Sequence, residues 1–258
     1  MRILFVLAAI TCSLLAQTDE PRNLDLFLLI GQSNMAGRGV IGQEDRTPLP
    51  RIWVQTKDLS WKPAVDPLHY DKPDIAGVGL GRFFARALTA GRPGASIGLI
   101  PAAFGGSALD EWKPGSLHYS EAVRRTRAAL RDGRLRGILW HQGEADAKAE
   151  GLAHSYAKRF EAFIRQLRTD LDAPDVPVIV GELGRFYRNR PNDGAKFADI
   201  VVAELRKIPN SVRHSAFVSS EGLTDKGDGV HFDTRSLQEF GARYAAAFVR
   251  LEPSWTKK

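Results

Sequence analysis

From Leu24 onward, short apolar runs alternate with segments whose apolar residues recur every three or four positions. The strand-length runs are Leu24 to Ile30 (LDLFLLI), Ala95 to Ala102 (ASIGLIPA), Arg136 to Trp140 (RGILW) and Val176 to Leu183 (VPVIVGEL), with a weaker one at Ser215 to Ser220. Nearly continuous apolar strands imply burial on both faces, as in a parallel sheet. A further short strand, Ile52 to Gln55, falls in the long connection after the first run. Helical spacing marks Gly79 to Ala90, Glu121 to Arg131, Leu152 to Leu171, Asp193 to Lys207 and Ser236 to Leu251. This alternation predicts a single α/β domain with helices on both faces of its sheet. In such sheets ligands bind beyond the carboxyl ends of the strands, so the segments that follow each strand are where chemistry is expected.

Composition narrows the picture. The 258 residues are 43% hydrophobic and 26% charged, an ordinary globular balance that argues against disorder. The one cysteine, Cys12, excludes a disulfide scaffold and a cysteine-rich zinc module. Residues 1–16 (MRILFVLAAITCSLLA) have a positive Arg2 and then an apolar run. That run is too short to span a bilayer, which takes about 20 apolar residues. The segment reads as a signal peptide cleaved near Ala16, so the expected protein is exported, has no stable membrane insertion, and forms one domain over 17–258. The excess of 36 Lys+Arg over 30 Asp+Glu is modest. Part of it is Arg124, Arg127 and Arg131 on one helix face, without interleaved aromatics, so nucleic-acid binding is not expected.

Four polar stretches follow the strands. Gly31-Gln32-Ser33-Asn34-Met35-Ala36-Gly37 places a candidate nucleophile, Ser33, just past a buried strand, though without the G-x-S-x-G elbow. Gly105-Gly106 offers backbone N–H groups that suit an oxyanion hole. His141-Gln142-Gly143-Glu144-Ala145-Asp146 is dense in functional groups but is a poor zinc pattern. Asp228 and His231 lie three residues apart in a glycine-containing turn, which lets the carboxylate hold Nδ1 and leave Nε2 as a base. A base, an orienting acid and oxyanion donors are what a serine nucleophile needs, and all are present.

With these pieces in order, GQSNMAG at 31–37, GGSALDEW at 105–112, HQGEAD at 141–146 and DGVHFD at 228–233, the chain resembles the SGNH hydrolase superfamily. It is most similar to the sialate O-acetylesterase and acetylxylan esterase group, carbohydrate esterase family six. The resemblance implies a three-layer α/β/α sandwich around a mostly parallel, SGNH/flavodoxin-like sheet of about five strands. It implies Ser33 as nucleophile, His231 as base and Asp228 as its acid partner, with no metal or organic cofactor. The oxyanion hole would take the N–H groups of Ser33 and Gly105 and a side chain of the third stretch.

That stretch departs from the wider superfamily, which has G-x-N-D there. Gln142 is the substitute donor, one residue out of register. Glu144 is a second candidate acid for His231, or a residue that orders the loop. Trp112, Phe186 and Tyr187 are candidates for the substrate cleft. The expected reaction is removal of O-acetyl groups from acetylated xylan, sialic acid or a related glycan. A general short-chain acyl esterase and a non-catalytic carbohydrate-binding protein are the alternatives. The oligomeric state is not readable.

Overall fold

The computed structural model describes residues 21–188 and 195–257; the leader and Cys12 lie outside them. Seven strands form one sheet: β1 Leu24–Gly31, β2 Ile52–Gln55, β3 Trp61–Pro63, β4 Ile97–Pro101, β5 Gly133–His141, β6 Val178–Gly181 and β7 Ser215–Val218. Their order is β3-β2-β4-β1-β5-β6-β7, and all neighbours are parallel except β2 and β3. The count corrects the expected five. The short strand at Ile52–Gln55 joins the main sheet beside β4, and β3 pairs antiparallel with it at the edge. β3 has three residues and ends in Pro63, too little for a periodic signal and tolerable only at an edge.

The central strand shows how the pattern makes layers. Leu24, Leu26, Leu28 and Ile30 of β1 face one core, and Phe27 and Leu29 face the other. Helices α3 (Leu117–Ala129), α5 (Tyr156–Asp170) and α7 (Ala198–Ser211) cover the first core. Helices α2 (Gly81–Gly91) and α8 (Thr234–Leu251) cover the second. Around Phe27, the rings of Phe84 and Phe248 pack edge-on at 4.8 and 5.1 Å, a geometry that adds to their burial.

The helix expected over 152–171 is two pieces, α4 (Glu150–His154) and α5, with Ser155 between. The Ser155 hydroxyl donates back to Gly151 O at 2.7 Å and accepts from Arg159 Nε at 3.0 Å. Such back-bonding competes with the helical ladder and bends it. In α3, Arg124 and Arg127 are exposed as expected, whereas Arg125 is buried and donates to the carbonyls of Gln55 and Thr56. Among the described residues, no helix is long and apolar enough to cross a membrane.

The segments after β1, β4 and β5 and the β7–α8 connection meet at one end of the sheet, where they line a common cleft.

Candidate active site

β1 ends at Gly31, opposite His141 of β5, with φ of 129°. A Cβ there would lie 2.1 Å from His141 O, so only glycine lets the two strand ends meet. Gln32 N–H then donates to His141 O at 2.8 Å, and the chain turns at once into the four-residue α1, Ser33–Ala36. Ser33 opens this turn, and its N–H has no acceptor among the described residues.

His231 reaches Ser33 from the β7–α8 connection. The Ser33 hydroxyl lies 3.0 Å from His231 Nε2, and His231 Nδ1 lies 2.7 Å from Asp228 Oδ2. Nδ1–H donating to the carboxylate leaves Nε2 as the acceptor for the Ser33 proton. Asp228 Oδ1 accepts from the backbone N–H groups of Val230 and His231 at 2.9 and 2.8 Å. Partial burial pushes the Asp228 carboxyl up, but the His231 N–H groups and the Val230 N–H outweigh it and bring it down to about 2. Asp225 braces the same turn, accepting from Gly227 and Gly229 N–H at 2.8 and 2.7 Å.

Gln142 is not free to be the side-chain oxyanion donor expected of it. Gln142 is fully buried, and its Nε2 faces Gln32 Oε1, Ser107 O and Asp146 Oδ2 at 3.2, 3.0 and 2.7 Å. Its Oε1 accepts from Tyr156 at 2.8 Å. Burial first, and then the Asp146 charge, pushes the Tyr156 phenol well above its ordinary range, so it stays a donor. With both amide ends committed, Gln142 has nothing to offer the cleft. Gln32 does. Its Oε1 collects Gln142 Nε2 and the N–H groups of Ala145 and Gly143 at 3.2, 3.3 and 3.5 Å. That fixes the amide's orientation and leaves Nε2 without an acceptor among the described residues, in a residue that lines the cleft beside Ser33. A signal for Gln32 was present in the sequence: it occupies the N-cap position of α1, where a glutamine is no capping residue.

Gly105 is a second correction. Its N–H donates to Asp71 Oδ2 at 2.7 Å, and the same oxygen receives Arg38 Nη2 at 3.0 Å in a buried ion pair. Lys72 Nζ holds the Gly105 carbonyl at 2.9 Å. The Gly105 N–H is thus committed, whereas the Gly106 N–H, also at the cleft, has no acceptor among the described residues.

Glu144 does not touch His231. Its Oε1 accepts from Asn34 Nδ2 at 2.6 Å. Trp112 is a core residue rather than a cleft wall. It is fully buried, its ring packs edge-on to Trp140 at 5.3 Å, and Nε1–H donates to Ser107 Oγ at 3.1 Å. Phe186 also lies off the cleft, packed against the Phe232 ring at 5.0 Å. Tyr187 is at the cleft but nearly buried, and its hydroxyl donates to Glu144 O at 2.9 Å. Among the described residues, no three His, Cys, Asp or Glu side chains gather as metal ligands.

The sequence profile of the family described as carbohydrate esterase, sialic acid-specific acetylesterase matches residues 23–250. The chain belongs to this carbohydrate esterase family. A protein of Arabidopsis thaliana named probable carbohydrate esterase is 32% identical over 253 residues, covering 90% of this chain and 93% of its own. An X-ray structure of an Arabidopsis thaliana protein, also 32% identical, superposes with a TM-score of 0.80 over 89% of this chain and 99% of that one. NanS shares the fold at 19% identity, with a TM-score of 0.75 over 91% of this chain and 99% of NanS. A carbohydrate acetylesterase from Xanthomonas citri shares it at 21% identity, with a TM-score of 0.67 over 88% of this chain and 56% of its own.

The cleft at Ser33 encloses about 240 Å³. Ser33, His231, Gln32 and Gly106 lie on its lining, as do Lys72 and Lys148. Both lysines are exposed. Lys72 is tied to Gly105 O, whereas Arg38, also at the cleft, is neutralised by Asp71.

Proposed function

We propose that this carbohydrate esterase removes O-acetyl groups from a glycan through an acetyl-serine on Ser33. One observation carries the reading: Ser33, His231 and Asp228 stand in hydrogen-bonded line at the cleft, with 3.0 and 2.7 Å between successive partners. In the first half-reaction Ser33 Oγ attacks the acetyl carbonyl carbon and its proton passes to His231 Nε2. Asp228 holds the imidazole in the required tautomer and stabilises the imidazolium. The negative charge on the former carbonyl oxygen falls to the Ser33 and Gly106 N–H groups and to Gln32 Nε2. Collapse breaks the ester bond to the sugar, whose oxygen takes the proton from Nε2. In the second half-reaction a water gives its proton to Nε2, attacks the acetyl-serine, and acetate leaves as the proton returns to Ser33.

The exposed lysines at the cleft, Lys72 and Lys148, favour an acetylated sugar that also bears a carboxylate, as a sialic acid does, over neutral xylan. The leader, with its apolar run after Arg2, supports export and cleavage near Ala16.

The test is acetate release from native acetylated glycans, charged and neutral, by the wild type and by Ser33→Ala. Acetate from the wild type alone is the expected result. A rate on aryl esters that holds up from acetate to longer acyl chains would instead indicate a general short-chain esterase. Failure of an organophosphate to label Ser33, with no acetate released, would indicate a binding protein.

A further inference from the structure

We infer that Asn34 is the positioning residue that sets His231 against Ser33, and that Glu144 acts on the base through Asn34 rather than as a second acid partner. Asn34 follows the nucleophile in α1 and is 2% exposed. Its side chain crosses to the loop that carries the base. Oδ1 accepts from Phe232 N–H at 3.1 Å, and Nδ2 donates to Val230 O at 3.0 Å. The residues on either side of His231 are therefore bound to the residue next to Ser33. The segments so joined lie 198 residues apart in the chain.

The 225–233 loop is otherwise braced mainly from within. Its Asp225 and Asp228 contacts fix its own curvature, together with the Asp225–Phe232 bridge and the Lys226 N–H to His231 O bond. Those bonds say nothing of where the loop stands relative to α1. The Asn34 clamp does, because it ties two points of the loop, one before and one after the base.

Glu144 makes the clamp directional. A carboxylate accepts only, so Glu144 Oε1 at 2.6 Å and the Val230 carbonyl together require the NH₂ end of Asn34 on their side. The amide oxygen is then the end that meets Phe232 N–H. Flipping the amide would set one oxygen against two others and two donors against each other. Glu144 is itself 3% exposed, and the Tyr187 hydroxyl holds its backbone carbonyl. Asp228 already occupies Nδ1, and Glu144 meets the loop that carries His231 through this amide.

The inference rests on the Ser33 reading above, so the experiment includes Ser33→Ala. The measurements are kcat and KM on an aryl acetate, the rate of Ser33 labelling by an organophosphate, and the thermal midpoint. Asn34→Asp keeps the acceptor for Phe232 but opposes two carboxylates and removes the donor to Val230. A displacement of about 1 Å at the reacting atoms costs on the order of 100-fold, so kcat and labelling should fall by about that factor with KM little changed. Glu144→Gln alone leaves Asn34 an acceptor and should cost less than about tenfold. The double variant Asn34→Asp/Glu144→Gln restores the link with donor and acceptor exchanged. It should regain about tenfold over Asn34→Asp.

A folded Asn34→Asp with wild-type kcat and labelling would overturn the inference. So would a folded double variant no faster than the single one. If Asn34→Asp does not fold, Asn34→Ser takes its place, and wild-type kcat in that variant would equally overturn it. Loss of activity in Ser33→Ala alongside unaffected Asn34 variants would sink this inference alone. Activity surviving in Ser33→Ala would sink the underlying reading instead.

Discussion

The 225–233 loop and the 141–146 stretch both end at the cleft, and their internal shapes are set in opposite ways. In the first, the bonds that shape the site span two to four residues, from Asp225 to Gly227 and Gly229 and from Asp228 to Val230 and His231. Asp228 and Gly229 are exposed or partly exposed. In the second, Gln142 is fully buried, and its partners Gln32, Ser107 and Tyr156 stand 110, 35 and 14 residues away. A local turn can be read as chemistry from its spacing alone. A buried amide can be read only by finding which of its atoms are already satisfied, since leaving one unpaired costs about 1–3 kcal/mol.

The sharpest way to break this contrast is to remove one charge from the local turn. Asp228→Asn keeps an acceptor for the Val230 and His231 N–H groups but cannot hold the imidazolium or enforce the Nδ1–H tautomer. We expect kcat to fall on the order of 10⁴-fold with the fold intact. A loss under about tenfold would mean that the turn is structural and that another group serves His231.

The next effect separates the two glutamines. Gln32→Ala removes an amide whose Nε2 is free at the cleft, and losing one oxyanion donor costs on the order of 100–1000-fold in kcat. Its Oε1 also serves Gln142 Nε2 and the Gly143 and Ala145 N–H groups, so the variant should lose about 1–3 kcal/mol of stability too, beside the larger loss of rate. Gln142→Ala strips partners from Asp146, Tyr156 and Gln32 but removes no donor from the cleft, so it should lose similar stability, about 1–3 kcal/mol, with a much smaller loss of rate. Denaturant midpoints measured beside kcat test the distinction. Unchanged turnover in Gln32→Ala would remove it from the oxyanion hole.

What the sequence made legible follows the same line. Periodicity placed the main strands and the helices α2, α3 and α8, because apolar burial repeats along each element. It did not show β3, whose three residues carry no period, or the break at Ser155, which depends on one hydroxyl turning back. Near the cleft, the Asp228–His231 contact was legible because a three-residue spacing already favours it, and Ser33 was legible by its place after a strand. Gln32 and Gln142 carry the same functional group, and only the packing decides which one faces the cleft. Trp112 follows the glycine pair as a cleft residue would, yet its ring fills the core beside Trp140. The Gly105 N–H is not free for the cleft because Asp71, 34 residues away, takes it.

The smallest effect concerns acid. The Asp228 carboxyl sits at about 2, below the roughly 3.9 of an unfolded aspartate, because the N–H groups of His231 and Val230 outweigh the cost of its partial burial. A carboxyl depressed by folding stabilises the native state fully above its unfolded value and loses that contribution as pH falls through its folded value. The group is largely open to solvent, so the contribution is screened and should stay under about 1 kcal/mol. Unfolding free energies of wild type and Asp228→Asn, compared from about pH 6 down to about pH 2, should differ most at the upper end and converge between about 4 and 2. A difference that stays constant over that range would show that ionising Asp228 adds nothing to the native state. The turn would then be shaped by geometry alone, with no share for charge.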